Sequence, residues 1–128
     1  MSQALIELGI SNFELEGTPT TETEFNECFT KITGFDEHRT IIRSTNPDDF
    51  GVTWSEVKAK YDELVAAEPM KLLREERDRR LAETDWWASS DLTMTQAQTD
   101  YRQALRDITN TYSSMSDDGF AFPTKPTE

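Results

Sequence analysis

Cysteine and histidine are nearly absent from this chain, with Cys28 and His38 the sole examples, and that scarcity removes whole classes of chemistry. A single cysteine excludes an internal disulfide, and one Cys with one His cannot build a zinc site. A serine or cysteine nucleophile would need His38 as its base, yet no G-x-S-x-G turn and no Cys/His pair in a workable setting occurs. His38, in Gly34-Phe35-Asp36-Glu37-His38-Arg39, is more simply a surface loop residue. The five glycines are scattered, so no phosphate-cradling loop is present. Setting Gly51 as the glycine of a calcium loop puts Phe50 and Val57 where oxygen ligands belong, which rules out an EF-hand. Paired carboxylates carry no information in a chain with 25 acids. The expectation is a protein that is not an enzyme and holds no cofactor and no metal.

Long apolar runs are also missing. Nothing approaches the roughly 18 to 20 apolar residues of a membrane span. Met1 to Glu7 has no basic n-region, so a soluble protein made in a cytoplasm is expected. Bases are few: 13 against 25 acids, a formal charge of −12. Both halves are acidic, with 10 acids and 3 bases up to residue 53 and 15 acids and 10 bases after it. No half offers the basic face that gathers phosphates, so neither nucleic acid nor an anionic membrane is an expected partner. The mean hydropathy of −0.70 is low for a compact globule. Three Trp, three Tyr and seven Phe nevertheless argue for a folded chain, because sequences that fail to fold are poor in aromatics.

What is there reads as α+β, mostly helical. Alternation predicts a strand at about 11–16, with residues 4–10 extended or a loose partner. Thr21-x-x-Glu24 is a capping box, and Phe25, Cys28, Phe29 and Ile32 then make one helical face that Gly34 terminates. Cys28 on that face is expected to be a small buried hydrophobe. Residues 39–44 are β-branched and predict a second strand, followed by turn chemistry at Asn46-Pro47-Asp48-Asp49. Thr53-x-x-Glu56 is a second capping box, with Val52 and Val57 as its hydrophobic staple. Trp54, Val57, Tyr61, Leu64 and Val65 form a stripe, and Pro69 predicts a kinked continuation of that helix to about Glu83. Thr93-x-x-Gln96, with Leu92 and Ala97 in the staple positions, predicts the start of a last helix. That helix carries a stripe of Ala97, Tyr101, Ala104, Leu105, Ile108 and Tyr112. The tail from about 113 should be extended, docking through Phe120 and Phe122 on the body or on a partner. Two domains follow: an N-terminal strand–helix–strand unit at 1–68, and a helical hairpin with its tail at 69–128.

Five of the 13 bases lie between Lys71 and Arg80, interleaved with acids, and Glu75–Arg79 and Glu76–Arg80 are spaced to pair along a helix. Trp86 and Trp87 close that helix. Adjacent residues cannot both bury the same way in regular structure, so one ring should pack between the helices and the other sit more exposed. Exposed Trp and Arg are the usual anchors of protein interfaces. Candidate partner-binding residues are therefore Arg74, Arg77, Trp86, Trp87, Tyr101, Arg102, Arg106, Phe120 and Phe122.

The pattern Leu73-Arg74-x-x-Arg77-Asp78-x-x-Leu81-x-x-Thr84-Asp85-Trp86, followed by Tyr101-Arg102-x-Ala104-Leu105-Arg106-Asp107-Ile108, resembles the phage tail assembly chaperone-like domain. The ending Phe122-Pro123-Thr124-Lys125-Pro126 is similar to that family's aromatic-Pro-Thr-Lys-Pro close, with Phe where Trp is usual and with Trp87 as an added tryptophan. The likeness spans roughly 69–126. A looser one, at Ala4 to Ile10 and Phe50 to Trp54, is to small structural proteins of phages of marine cyanobacteria. The resemblance implies a phage tail or tail-fibre protein as partner, and work in the host cytoplasm during assembly or a place in the virion. A thin core also favours a homo-oligomer. The competing reading is an acidic host-directed inhibitor that mimics nucleic acid.

Overall fold

The computed structural model describes residues 1–127. In chain order the elements are α1 (Ser2–Glu7), β1 (Phe13–Leu15), α2 (Glu22–Cys28), β2 (Phe29–Phe35), β3 (Ile41–Ser44), a 3-10 turn at Pro47–Asp49, α3 (Trp54–Glu83), a 3-10 turn at Asp85–Ala88 and α4 (Gln96–Thr111). The chain forms two compact units, Met1–Val65 and the remainder from Ala66, with α3 contributing to both. The class is α+β and mostly helical.

In the first unit an antiparallel sheet of order β1-β2-β3 carries Phe29 at the start of its central strand, opposite Leu15. Leu5, Phe25, Phe29, Phe50 and Val57 make the core. The Phe29 ring lies 5.1 Å from Phe25 and 4.5 Å edge-on to Phe50, spacings at which aromatic pairs gain beyond their buried area. Thr53 and Glu56 cap α3 reciprocally: Glu56 accepts from the Thr53 amide at 2.8 Å, and Thr53 Oγ1 accepts from the Glu56 amide at 3.3 Å. Val57 of the staple is fully buried.

Several expectations for this unit fail. Residues 2–7 are helical, not extended. Met1, Ala4, Leu5 and Leu8 fall at i, i+3, i+4 and i+7, a helical face that outweighs the short alternation of Leu8 and Ile10, and Gly9 (φ +82°) ends it. The helix begun at Thr21 stops at Cys28 and the chain turns at once into β2. Thr30, Ile32 and Thr33 are β-branched, and as the central strand β2 satisfies its backbone on both sides, against β1 and β3. The sheet thus has three strands where two were expected, and Cys28 is only half-buried. The last strand starts at Ile41 rather than Arg39, because Asp36 Oδ1 accepts from the His38 and Thr40 amides, both at 2.8 Å, and holds residues 36–40 in a tight turn. Thr21 does cap α2 by accepting from the Glu24 amide, but the Glu24 carboxylate reaches Thr20 instead of returning to the cap.

Helix α3 runs through Pro69 as one element of 30 residues. The missing amide of Pro69 leaves the Val65 carbonyl without its in-helix donor, and exposure of Val65 lets water take that role. Pro69→Ala restores the donor and is expected to raise stability by about 1–3 kcal/mol, read as a shift in the urea midpoint. An unchanged or lower midpoint would show that the ring is packed in its own right.

In the second unit the C-terminal part of α3 and α4 form a hairpin around Trp87, Tyr101 and Leu105, with Leu81, Met94 and Phe122 against them. The cap of α4 is Thr95, not Thr93. Thr95 Oγ1 accepts from the Gln98 amide at 3.2 Å, and Gln98 Oε1 accepts from the Thr95 amide at 2.9 Å. Both frames carry the Thr-x-x-Gln pattern. The later one places Met94 immediately before the cap, where it packs on the core, while Leu92 and Ala97 stay exposed. The buried stripe of α4 is Tyr101, Arg102, Leu105 and Ile108, so Ala104 faces out and an arginine faces in.

Candidate interaction site

The hairpin loop sorts the two tryptophans. The 3-10 turn at Asp85–Ala88 rotates Trp87 into the core, where it is 2% exposed, and leaves Trp86 51% exposed with its ring 6.1 Å away. Trp87 and Tyr101 rings are 6.1 Å apart, so Tyr101 is an interior partner of Trp87. The buried Trp87 Nε1 has no acceptor.

Arg102 lies inside as well, 8% exposed. Its Nη1 donates to the Leu81 carbonyl at 3.0 Å and to Thr84 Oγ1 at 2.7 Å, and its Nη2 donates to Asp85 Oδ1 at 2.9 Å. Leu81 belongs to the last turn of α3, and its carbonyl accepts from the Thr84 amide at 3.0 Å and the Thr84 hydroxyl at 3.1 Å as well as from Arg102. A cation there also meets the negative end of the helix dipole. Arg102 is therefore a cap for α3 supplied from α4. Thr84, fully buried, and Asp85 complete this arrangement and were not among the candidates. Their signal lay in the spacing of Thr84-Asp85 and Tyr101-Arg102, which brings both to one end of the hairpin.

On α3 the charges pair along the helix: of the two expected pairs Glu76–Arg80 forms and Glu75–Arg79 does not. Glu76 accepts from Arg79 at 2.7 and 2.8 Å and from Arg80 at 2.9 Å, and Arg79 also meets Glu83. Glu75 pairs with Lys71 instead of Arg79, at 4.0 Å. The hydrogen bond from Arg79, opposed by desolvation and helped by a smaller contribution from Arg80, holds the Glu76 carboxyl down at about 2. The folded value lies below the ordinary glutamate range, so the pairing stabilises fully above about pH 4.5 and fades as pH falls towards 2. The gap in urea midpoint between the parent chain and Glu76→Gln should accordingly shrink between neutral pH and about pH 2. A pH-independent gap would contradict this pairing.

The remaining candidates divide clearly. Arg77 is held by its neighbour Asp78 at 2.7 Å. Arg74 and Arg106 are exposed and make no ion pair or hydrogen bond among the described residues. Phe120 and Phe122 are half-buried on the hairpin: Phe120 stacks edge-on against Tyr112 and Phe122, and the Arg80 guanidinium sits 4.1 Å above the Phe122 ring. Lys125 lies 5.5 Å from the Trp87 ring. The tail thus docks on its own body. His38 is exposed in the first unit, and no group of His, Cys, Asp and Glu suited to a metal occurs among the described residues. No described helix is long and apolar enough to cross a membrane.

No curated protein and no solved structure matches the chain. Residues 70–127 match the model of a family described as phage tail assembly chaperone protein, and the match supports a role in phage tail assembly.

Proposed function

We propose that this chain is a non-enzymatic phage tail or tail-fibre assembly factor, or a small virion component of that apparatus, acting through protein–protein contacts. The exposed Trp86, together with the exposed and unpaired Arg74 and Arg106 on the same hairpin, which is matched to the tail assembly chaperone family, supports this reading. A half-exposed indole is a large apolar surface left in water. Burying it against a partner would contribute about 2–3 kcal/mol, with arginine supplying directional hydrogen bonds around it. Trp87, Tyr101 and Arg102 support this surface from inside.

Affinity capture from infected cells tests the reading. The chain should recover a tail or tail-fibre protein, and Trp86→Ala with Arg106→Glu should abolish recovery while leaving the circular dichroism spectrum unchanged. Recovery of a basic host protein alone, lost steeply between about 50 and 200 mM salt, would favour the nucleic-acid-mimic reading instead.

A further inference from the structure

We propose that the face of the hairpin formed by Arg80, Trp87, Tyr101 and Tyr112 is a binding groove for extended aromatic-proline segments, and that residues 120–126 are its occupant in cis. The tail has no regular secondary structure beyond α4, and residues 121–124 form no backbone hydrogen bond to either helix. It is held by rings and cations: Phe120 on Tyr112, Phe122 on the Trp87–Tyr101–Leu105 core under Arg80, and Lys125 over Trp87. An aromatic ring clasped by arginine, followed by a proline that presets extended backbone, is how one chain reads a short extended segment of another.

The fit in cis is incomplete at one point. The Trp87 indole N–H is buried without an acceptor, a donor that a carbonyl of an incoming segment could satisfy. The connection is a turn rather than a helix. Asp117 accepts from the Ser113 and Ser114 amides at 2.8 and 3.2 Å, and the Tyr112 hydroxyl donates to the Gly119 carbonyl at 3.1 Å. Release of the tail therefore lifts Phe120 and Phe122 off the hairpin without breaking a helix hydrogen bond. The partner that fits is an extended segment with an aromatic-Pro-x-Lys sequence. The groove stands on the hairpin alone, and gives the tail-assembly reading a partner chemistry.

The experiment uses the full chain carrying Phe122→Ala, whose own tail can no longer fill the groove, and a synthetic peptide of residues 118–127. Titration should be saturable, should shift the Trp87 indole N–H resonance, and should be at least about tenfold tighter than with the unsubstituted chain, whose tethered tail competes at an effective concentration in the millimolar range. A peptide carrying the same Phe122→Ala change should not bind. A folded Phe122→Ala chain that ignores the peptide, or equal binding by both chains, would overturn the groove. Loss of the hairpin fold in Phe122→Ala would also overturn it, by making the tail part of the core. None of these failures bears on capture of a tail protein through Trp86.

Discussion

Trp87→Ala should destabilise the hairpin unit by about 3–5 kcal/mol, whereas Trp86→Ala should cost less than about 1 kcal/mol. The two residues are chemically identical neighbours, so the contrast isolates burial. Trp87 is 2% exposed and packs with Tyr101, Leu105, Leu81, Met94 and Phe122, so its removal opens a void among five side chains that cannot all collapse into it. Its buried N–H has no acceptor, so no hydrogen bond is lost, and the cost is that of packing alone. Trp86 is half in water already, and its truncation removes surface that stabilises little in the isolated chain. Urea denaturation followed by far-ultraviolet circular dichroism reads both. The functional readout inverts the order: Trp86→Ala keeps the fold and should lose the partner. Equal destabilisation by the two substitutions would refute the sorting of the rings by the 3-10 turn.

Much of this was legible in short-range pattern. Thr53-x-x-Glu56 with its Val52 and Val57 staple marks the start of α3 because capping needs only residues within one turn. The division of Trp86 and Trp87 follows from their adjacency. The errors arise where two local patterns fit one stretch. Phe25 and Phe29 make the same core contact whether the helix continues or a strand begins at residue 29, and pairing with β1 and β3, distant in sequence, decides for the strand. Thr93 and Thr95 both begin a Thr-x-x-Gln box, and the packing of Met94 selects the second. Of the candidate residues, Trp86, Arg74 and Arg106 lie on the surface, while Tyr101, Arg102 and Trp87 lie within. A helical stripe of apolar residues identifies Tyr101 as interior. Nothing local does so for Arg102, whose burial depends on a helix terminus 17 to 21 residues earlier in the chain.

That dependence makes Arg102 the most informative position. Arg102→Met should cost about 2–4 kcal/mol, below the roughly 3–5 kcal/mol for breaking a fully buried pair, because Asp85 is 67% exposed and can be rehydrated. The deficit would come from the α3 terminus. The Leu81 carbonyl and Thr84 Oγ1 lose a charge-assisted donor in a place water does not reach easily, since Thr84 is fully buried. Arg102→Lys should recover less than half of the loss. A single ammonium cannot reproduce the fork in which one nitrogen serves Leu81 and Thr84 while the other serves Asp85. Asp85→Asn should cost under about 1 kcal/mol, as expected for an acid that remains in solvent. Salt separates this arrangement from the surface pairs of α3: the cost of Arg102→Met should be nearly the same at low and high ionic strength, while that of Glu76→Gln should fall as salt rises. A fully stable Arg102→Lys chain would show that charge near the helix end suffices and that the fork is incidental. A strong salt dependence for Arg102→Met would place the guanidinium in solvent, and with it return Arg102 to the surface that meets the partner.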